Sequence, residues 1–112
     1  MTRPLDSFPR IAVVDDDPRM RRALELTLGR HGYETLLFES AEAFLERSSA
    51  MLPIAGLLLD LHLPGKSGLD VLRGLRKTHR TFPIIMLTAE TDVAIEDEAL
   101  LSGATAFLAK GS

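Results

Sequence analysis

The stretch Ile54-Ala55-Gly56-Leu57-Leu58-Leu59-Asp60 is apolar up to its last residue, and Leu61-His62-Leu63-Pro64-Gly65-Lys66-Ser67-Gly68 follows it. The proline and glycines of the second segment force a loop. A short continuous apolar run closed by a turn signal is the pattern of a strand buried on both faces of a parallel sheet. The pattern recurs three times: Ile11-Ala12-Val13-Val14 precedes Asp15-Asp16-Asp17, Ile84-Ile85-Met86-Leu87 precedes Thr88, and Ala106-Phe107-Leu108-Ala109 precedes Lys110. In such sheets ligands bind beyond the carboxyl ends of the strands. The polar residues that close the runs are therefore predicted to gather on one edge.

The segments between the runs carry helix signals. A strand over 10–15 leads into Asp17-Pro18, an N-cap followed by proline at the first helical position. Met20, Leu24, Thr27, Leu28 and His31 recur at helical spacing; Arg19, Arg21, Arg22 and Arg30 fall largely outside that stripe and read as a solvated face. Gly32 closes the helix. A strand over 34–38 follows, and Ser40 caps a short helix with Ala41, Phe44 and Leu45 on its inner side. Pro53 breaks the chain before the strand over 54–60. Beyond the loop, Leu69, Leu72 and Leu75 mark a helix over 68–78, and Pro83 introduces the fourth strand. A helix starting at Thr91 or Asp92 turns Ala94, Ile95, Ala99 and Leu100 inward, and Gly103 closes it before the fifth strand. Strict alternation with right-handed crossovers predicts an α/β fold, a flavodoxin-like doubly wound five-stranded parallel sheet of order 2-1-3-4-5.

At 112 residues the chain reads as one domain able to bury an ordinary core: 1–9 as a flexible N-terminal extension, 10–112 as the folded unit. Its 46% hydrophobic and 26% charged residues are those of an ordinary globular domain. No apolar run approaches the roughly 18 residues that cross a bilayer, and residues 1–8 lack a secretory signal pattern. With no cysteine there is no disulfide or thiolate zinc site, which fits a cytoplasmic protein. A net charge of -3 argues against direct nucleic-acid binding, so any DNA contact would need another domain.

In the predicted strand order Asp15, Asp16 and Asp60 share a small cleft flanked by Thr88 and Lys110. Three carboxylates repel one another unless a cation or a raised pKa relieves them. All-oxygen ligands without cysteine favour Mg2+ or Mn2+ over zinc. Lys110 adds a point charge able to pair with a carboxylate or a phosphoryl group, and Thr88 adds a hydroxyl donor. A carboxylate can itself be the nucleophile, forming an aspartyl phosphate. Asp60, alone at its strand end, is the candidate; Asp15 and Asp16 are placed to hold the metal, and Asp17 stays a helix cap. His31 and His79 read as helix-end or loop residues, and no imidazole is needed.

The motifs Val13-Val14-Asp15-Asp16, Leu59-Asp60-Leu61-His62-Leu63-Pro64-Gly65, Ser67-Gly68-Leu69, Leu87-Thr88-Ala89 and Phe107-Leu108-Ala109-Lys110 span nearly the whole chain. Together they resemble the receiver domain of two-component response regulators. The resemblance implies that Asp60 is the phosphoacceptor, supplied by a sensor histidine kinase or a phosphotransfer protein. It implies that Asp15, Asp16 and Asp60 bind Mg2+, with the main-chain carbonyl of His62 completing the protein ligands. Thr88 and Phe107 stand at the family's switch positions, Lys110 at the position that bridges acceptor and phosphate, and Glu90 and His62 where the lifetime of the phosphoryl group is tuned. Such a domain is not an enzyme with a small product: it catalyses only its own phosphorylation and dephosphorylation.

Two departures stand out. Gly111 follows the lysine where proline is common, and the sequence stops at Ser112, where receivers continue into a fifth helix. The expectation is a C-terminally truncated receiver whose natural chain continues toward an output domain. Without the fifth helix part of the core would be exposed, and a homodimer or a swapped element is another way of covering it. Three rival functions share the fold or the chemistry. A pseudo-receiver would contact partners without phosphorylation, against which the intact acidic set argues. A phosphatase of the haloacid dehalogenase type needs a second aspartate two residues after the nucleophile, where this chain has His62. A flavodoxin proper needs a hydroxyl-rich phosphate loop where this chain has three aspartates.

Overall fold

Each apolar run becomes a strand, and strands alternate with helices along the described residues. The computed structural model describes residues 8–48, 53–78, 81–89 and 93–110. Along the chain they form β1 (Arg10–Val14), α1 (Pro18–Arg30), β2 (Glu34–Phe38), α2 (Ala41–Ser48), β3 (Gly56–Asp60), α3 (Gly68–Lys77), β4 (Ile84–Thr88), α4 (Val93–Leu101) and β5 (Ala106–Ala109). The strands form one parallel sheet in the order β2-β1-β3-β4-β5. This is the predicted flavodoxin-like arrangement, with β1 and β3 adjacent where the order reverses.

The element ends follow local chemistry. Asp17 caps α1, its carboxylate accepting the Arg19 amide at 2.9 Å, with Pro18 behind it. Ser40 Oγ accepts the Ala43 amide at 3.0 Å ahead of α2, and Ser67 Oγ accepts the Asp70 amide at 3.2 Å ahead of α3. The first strand ends at Val14 and the third begins at Gly56, so both are shorter than the runs suggested; Asp15 already belongs to the turn. Residues 91 and 92, where a helix start was expected, lie outside the described residues, as do His79, Glu90 and Gly111. Of residues 1–9 only Phe8 and Pro9 are described, and the Pro9 carbonyl already accepts the Glu34 amide at 2.9 Å.

Registry divides the sheet into two unequal faces. Val14, Leu59, Met86 and Phe107 stand in one row across β1, β3, β4 and β5. With Ala12, Leu57 and Ile84 they pack against Ala41 and Phe44 of α2, Val71, Leu72 and Leu75 of α3, and Ala99 of α4. The Phe44 ring meets that of Phe38 edge-on, centroids 5.4 Å apart, and so locks α2 to β2. The opposite face is covered by α1, which packs on β1 and β2 and has no buried residue among those described. There Leu58 and Ile85 are only partly buried and Leu108 is 53% exposed.

Two expected inward faces need correction. On α1 only Met20, Leu24 and Leu28 of the stripe are partly buried, while Thr27 and His31 are exposed. On α4, Ala94 and Leu100 are exposed, Ile95 is partly buried and Ala99 alone is buried. That helix is apolar on several sides, so composition could not tell which side turns inward. Packing on the core settles it, with Ala99 buried and Ile95 against the cluster, while arginines from α3 bond around the helix: Arg73 Nη2 donates to Glu98 Oε1 at 2.6 Å, and Arg76 donates to the carbonyls of Gly103 at 2.9 Å and Phe82 at 3.0 Å. Gly103 has φ +111, and the Arg76 stem fills the space a Cβ would need.

Candidate functional site

The carboxyl ends of β1, β3 and β4 and the residue after β5 deliver the site. Asp15 follows Val14 out of β1; its amide donates to the Phe38 carbonyl at 3.1 Å and its Oδ1 accepts the Asp17 amide at 2.9 Å. Asp60 is the last residue of β3, and its Oδ1 accepts the His62 amide at 3.0 Å. Lys110 is pinned by its own amide, which donates to the Thr88 carbonyl at 2.6 Å. Its ammonium reaches back between the acids, 2.7 Å from Asp15 Oδ2 and 2.9 Å from Asp60 Oδ2.

Gly68 opens α3 directly behind this point. Its amide donates to the Leu61 carbonyl, and a Cβ there would collide with the main-chain oxygen of Asp60. The glycine thus lets the helix start lie against the strand that carries the acceptor.

Electrostatics are strained by design of the sheet edge. Asp15 is fully buried, Asp60 nearly so, and Asp16 is exposed at the mouth, yet one carboxylate oxygen from each lies within 4.8 Å of the others. Burial pushes the Asp60 carboxyl above its ordinary value, against the hydrogen bonds from Lys110 and the His62 amide and the Lys110 charge, with the Asp15 charge adding to the push. Burial alone would lower Lys110, but its contacts with Asp15 and Asp60 outweigh burial and hold it above its ordinary value. Asp15 Oδ2 is a buried oxygen whose contact among the described residues is the ion pair with the Lys110 ammonium. One ammonium against three carboxylates, two of them buried, fits a hard divalent cation bound through oxygen.

All five residues predicted at the strand ends reach this edge. Asp15, Asp60 and Lys110 touch, Asp16 completes the carboxylate cluster, and the buried Thr88 ends β4 one residue beyond Leu87, the β-partner of Asp60. The His62 main chain is held at the site by its amide. Phe107 lies partly buried against the core, a row below. Two contacts escaped the sequence. Arg21, read as part of a solvated face, is partly buried, and its Nη1 donates to the main-chain carbonyl of Asp15 at 2.7 Å. Glu42 on α2 accepts the Lys66 amide at 3.3 Å and so tethers the loop after Asp60. Nothing in the spacing of either residue signals these bonds.

This constellation on this fold is that of a receiver. The family profile for the response regulator receiver domain matches residues 11–112, and the chain belongs to that family. Among curated relatives, the transcriptional regulatory protein FixJ of Bradyrhizobium diazoefficiens is 35% identical over 100 residues, covering 89% of this chain and 48% of that protein. The transcriptional regulatory protein KdpE of Mycobacterium tuberculosis is 39% identical over 100 residues, covering 89% and 43%. The chain thus spans about half the length of the curated relatives it matches. A response regulator of Burkholderia pseudomallei, solved with a phosphorylated aspartic acid, a calcium ion and citrate, superposes with TM-score 0.84 at 27% identity, covering 93% of this chain and 61% of that one.

Proposed function

We propose that this domain is a phosphorylation-driven switch in which Asp60 accepts a phosphoryl group from a histidine kinase or phosphotransfer protein in the presence of Mg2+. The observation that carries the reading is the ammonium of Lys110 seated between Asp15 and Asp60 at the end of β3. An acidic cluster serving only as turn chemistry would not need a half-buried bridging cation. The phosphorylated aspartate and calcium ion of the Burkholderia structure support it from outside.

In the proposed transfer a carboxylate oxygen of Asp60 forms the new O–P bond as the N–P bond of the phosphohistidine breaks, and the departing imidazole takes up a proton. The carboxylates of Asp15, Asp16 and Asp60 and the main-chain carbonyl of His62 would hold Mg2+, whose charge offsets that on the transferring oxygens. The His62 amide keeps the Asp60 carboxylate oriented, and Lys110 is freed to pair with the phosphoryl oxygens. The Thr88 hydroxyl and the Phe107 ring supply the switch, biasing two arrangements of the segment after β4. The reaction modifies the domain itself and releases no small product, so the domain is not an enzyme in the ordinary sense. It works in the cytoplasm and passes its state to a C-terminal output domain, as the half-length coverage of the transcriptional relatives suggests.

Intact mass after incubation with acetyl phosphate and MgCl2 tests the reading. A single phosphoryl adduct that needs Mg2+ and disappears in Asp60→Asn is expected. No adduct, with no Mg2+ binding, would refute it and leave a phosphorylation-independent interaction module.

A further inference from the structure

We propose that Arg21 is a positioning residue of the cation site, fixing the main chain of the β1–α1 turn and tying its two metal acids to α1. The inference rests on the reading of Asp15 and Asp16 as cation ligands, and it adds a residue that no motif of the chain singles out.

The turn from Asp15 to Asp17 must present one buried and one exposed carboxylate to the same point. Three of its bonds are local or come from the sheet: the Asp15 amide to Phe38, the Asp17 amide to Asp15 Oδ1, and the Arg19 amide to Asp17 Oδ1. They leave the Asp15 carbonyl oxygen, which sits on the peptide joining the two acids. Arg21 Nη1 takes it at 2.7 Å, reaching back six residues from the second turn of α1. A charged donor at that distance makes one of the stronger kinds of hydrogen bond. Rotation of the Asp15–Asp16 peptide would swing the Asp16 side chain away from Asp15 and Asp60, and this bond opposes it.

The bond also works in the other direction. With no buried residue among those described, α1 packs on the sheet through half-buried side chains. A polar link from its second turn to the turn that binds the cation makes cation binding and the seating of α1 reciprocal. Arg22, one residue on, offers a control of the same charge: its guanidinium pairs with Glu25 at 2.8 Å and is 67% exposed.

The test compares the wild type with Arg21→Ala, Arg21→Lys and Arg22→Ala in two measurements. Amide hydrogen exchange is read on the cation-free proteins, and Mg2+ affinity is read by titration calorimetry with MgCl2 alone. Arg21→Ala is expected to speed exchange at the Asp17 and Arg19 amides and to weaken Mg2+ binding about tenfold, the lower end of what losing an outer-sphere partner of a metal ligand costs. Arg21→Lys, which keeps a donor, is expected to recover much of both, and Arg22→Ala to leave both near wild type. Equal effects of the two alanine variants would show that only charge matters and overturn the proposal; so would wild-type exchange in Arg21→Ala. If Arg21→Ala does not fold, Arg21→Met against Arg22→Met decides, since methionine keeps much of the stem and loses the donor: a deficit at position 21 alone supports the proposal and parity overturns it. Should the wild type itself bind no Mg2+, the reading of the acidic site fails, and exchange alone judges the link between Arg21 and the turn.

Discussion

Replacing Lys110 by methionine keeps most of the aliphatic stem and removes the ammonium that stands 2.7 Å from Asp15 and 2.9 Å from Asp60. Two carboxylates, one fully buried and one nearly so, then face each other with oxygens no more than 4.8 Å apart. At an effective dielectric constant of about 20 that repulsion is about 3.5 kcal/mol, inside the range of about 3–5 kcal/mol for breaking a buried ion pair from one side. In a domain of this size the loss corresponds to a fall in Tm of about 14 °C or more. The measurement is urea unfolding of wild type and Lys110→Met at pH 7.5 in EDTA, repeated at pH 5 and with MgCl2. The sign with pH is set by Asp60: burial already holds its carboxyl above the ordinary value, and losing the Lys110 contacts raises it further, so the deficit grows as pH rises through its folded-state pKa and shrinks toward acid. Added Mg2+ restores stability to the variant, about 2.7 kcal/mol at a hundredfold excess over Kd, and binds it more tightly than wild type because no ammonium competes. A variant within about 0.5 kcal/mol of wild type at pH 7.5 in EDTA, the scatter of surface substitutions, or a deficit unchanged at pH 5, would refute the reasoning.

Asp60→Asn is expected to stabilise the cation-free fold at neutral pH, because burial raises the Asp60 pKa and its ionisation therefore works against folding. Thermal melts should show the gap to wild type narrowing as pH falls toward the unfolded carboxylate value of about 3.9, and a gap constant with pH would contradict the assignment. Gly68→Ala forces a Cβ into the Asp60 carbonyl oxygen and should cost about 1–3 kcal/mol in urea unfolding while also weakening Mg2+ binding. Phe44→Ala empties the contact between α2 and β2 and should cost about 3–5 kcal/mol, with Mg2+ affinity unchanged wherever the variant remains folded.

Much of this molecule is legible before any coordinates, because its strongest signals are local. A short apolar run closed by Asp15, Asp60, Thr88 or Lys110 is a buried parallel strand with its end marked. Asp17-Pro18, Ser40 and Ser67 start helices through bonds to amides two or three residues away. Handedness and alternation then leave few sheet orders, and the order alone brings together acids 45 residues apart in sequence.

Tertiary structure alone decided what the long side chains reach and which way the apolar helices turn. The composition of α4 does not say that Ala99 rather than Leu100 is buried; packing against the core cluster decides it. An arginine near the start of α1 reads as solvated, yet one of them, Arg21, turns back to the carbonyl of Asp15 while Arg22 faces solvent. That Lys110 bridges two acids rather than one depends on the spacing of β1, β3 and β5 across the sheet edge. A flexible side chain has many rotamers of similar energy, and only the positions of distant backbone atoms select among them. The sequence by itself therefore determined the strands, their ends and the identity of the acids, and the packed sheet determined how those acids are held.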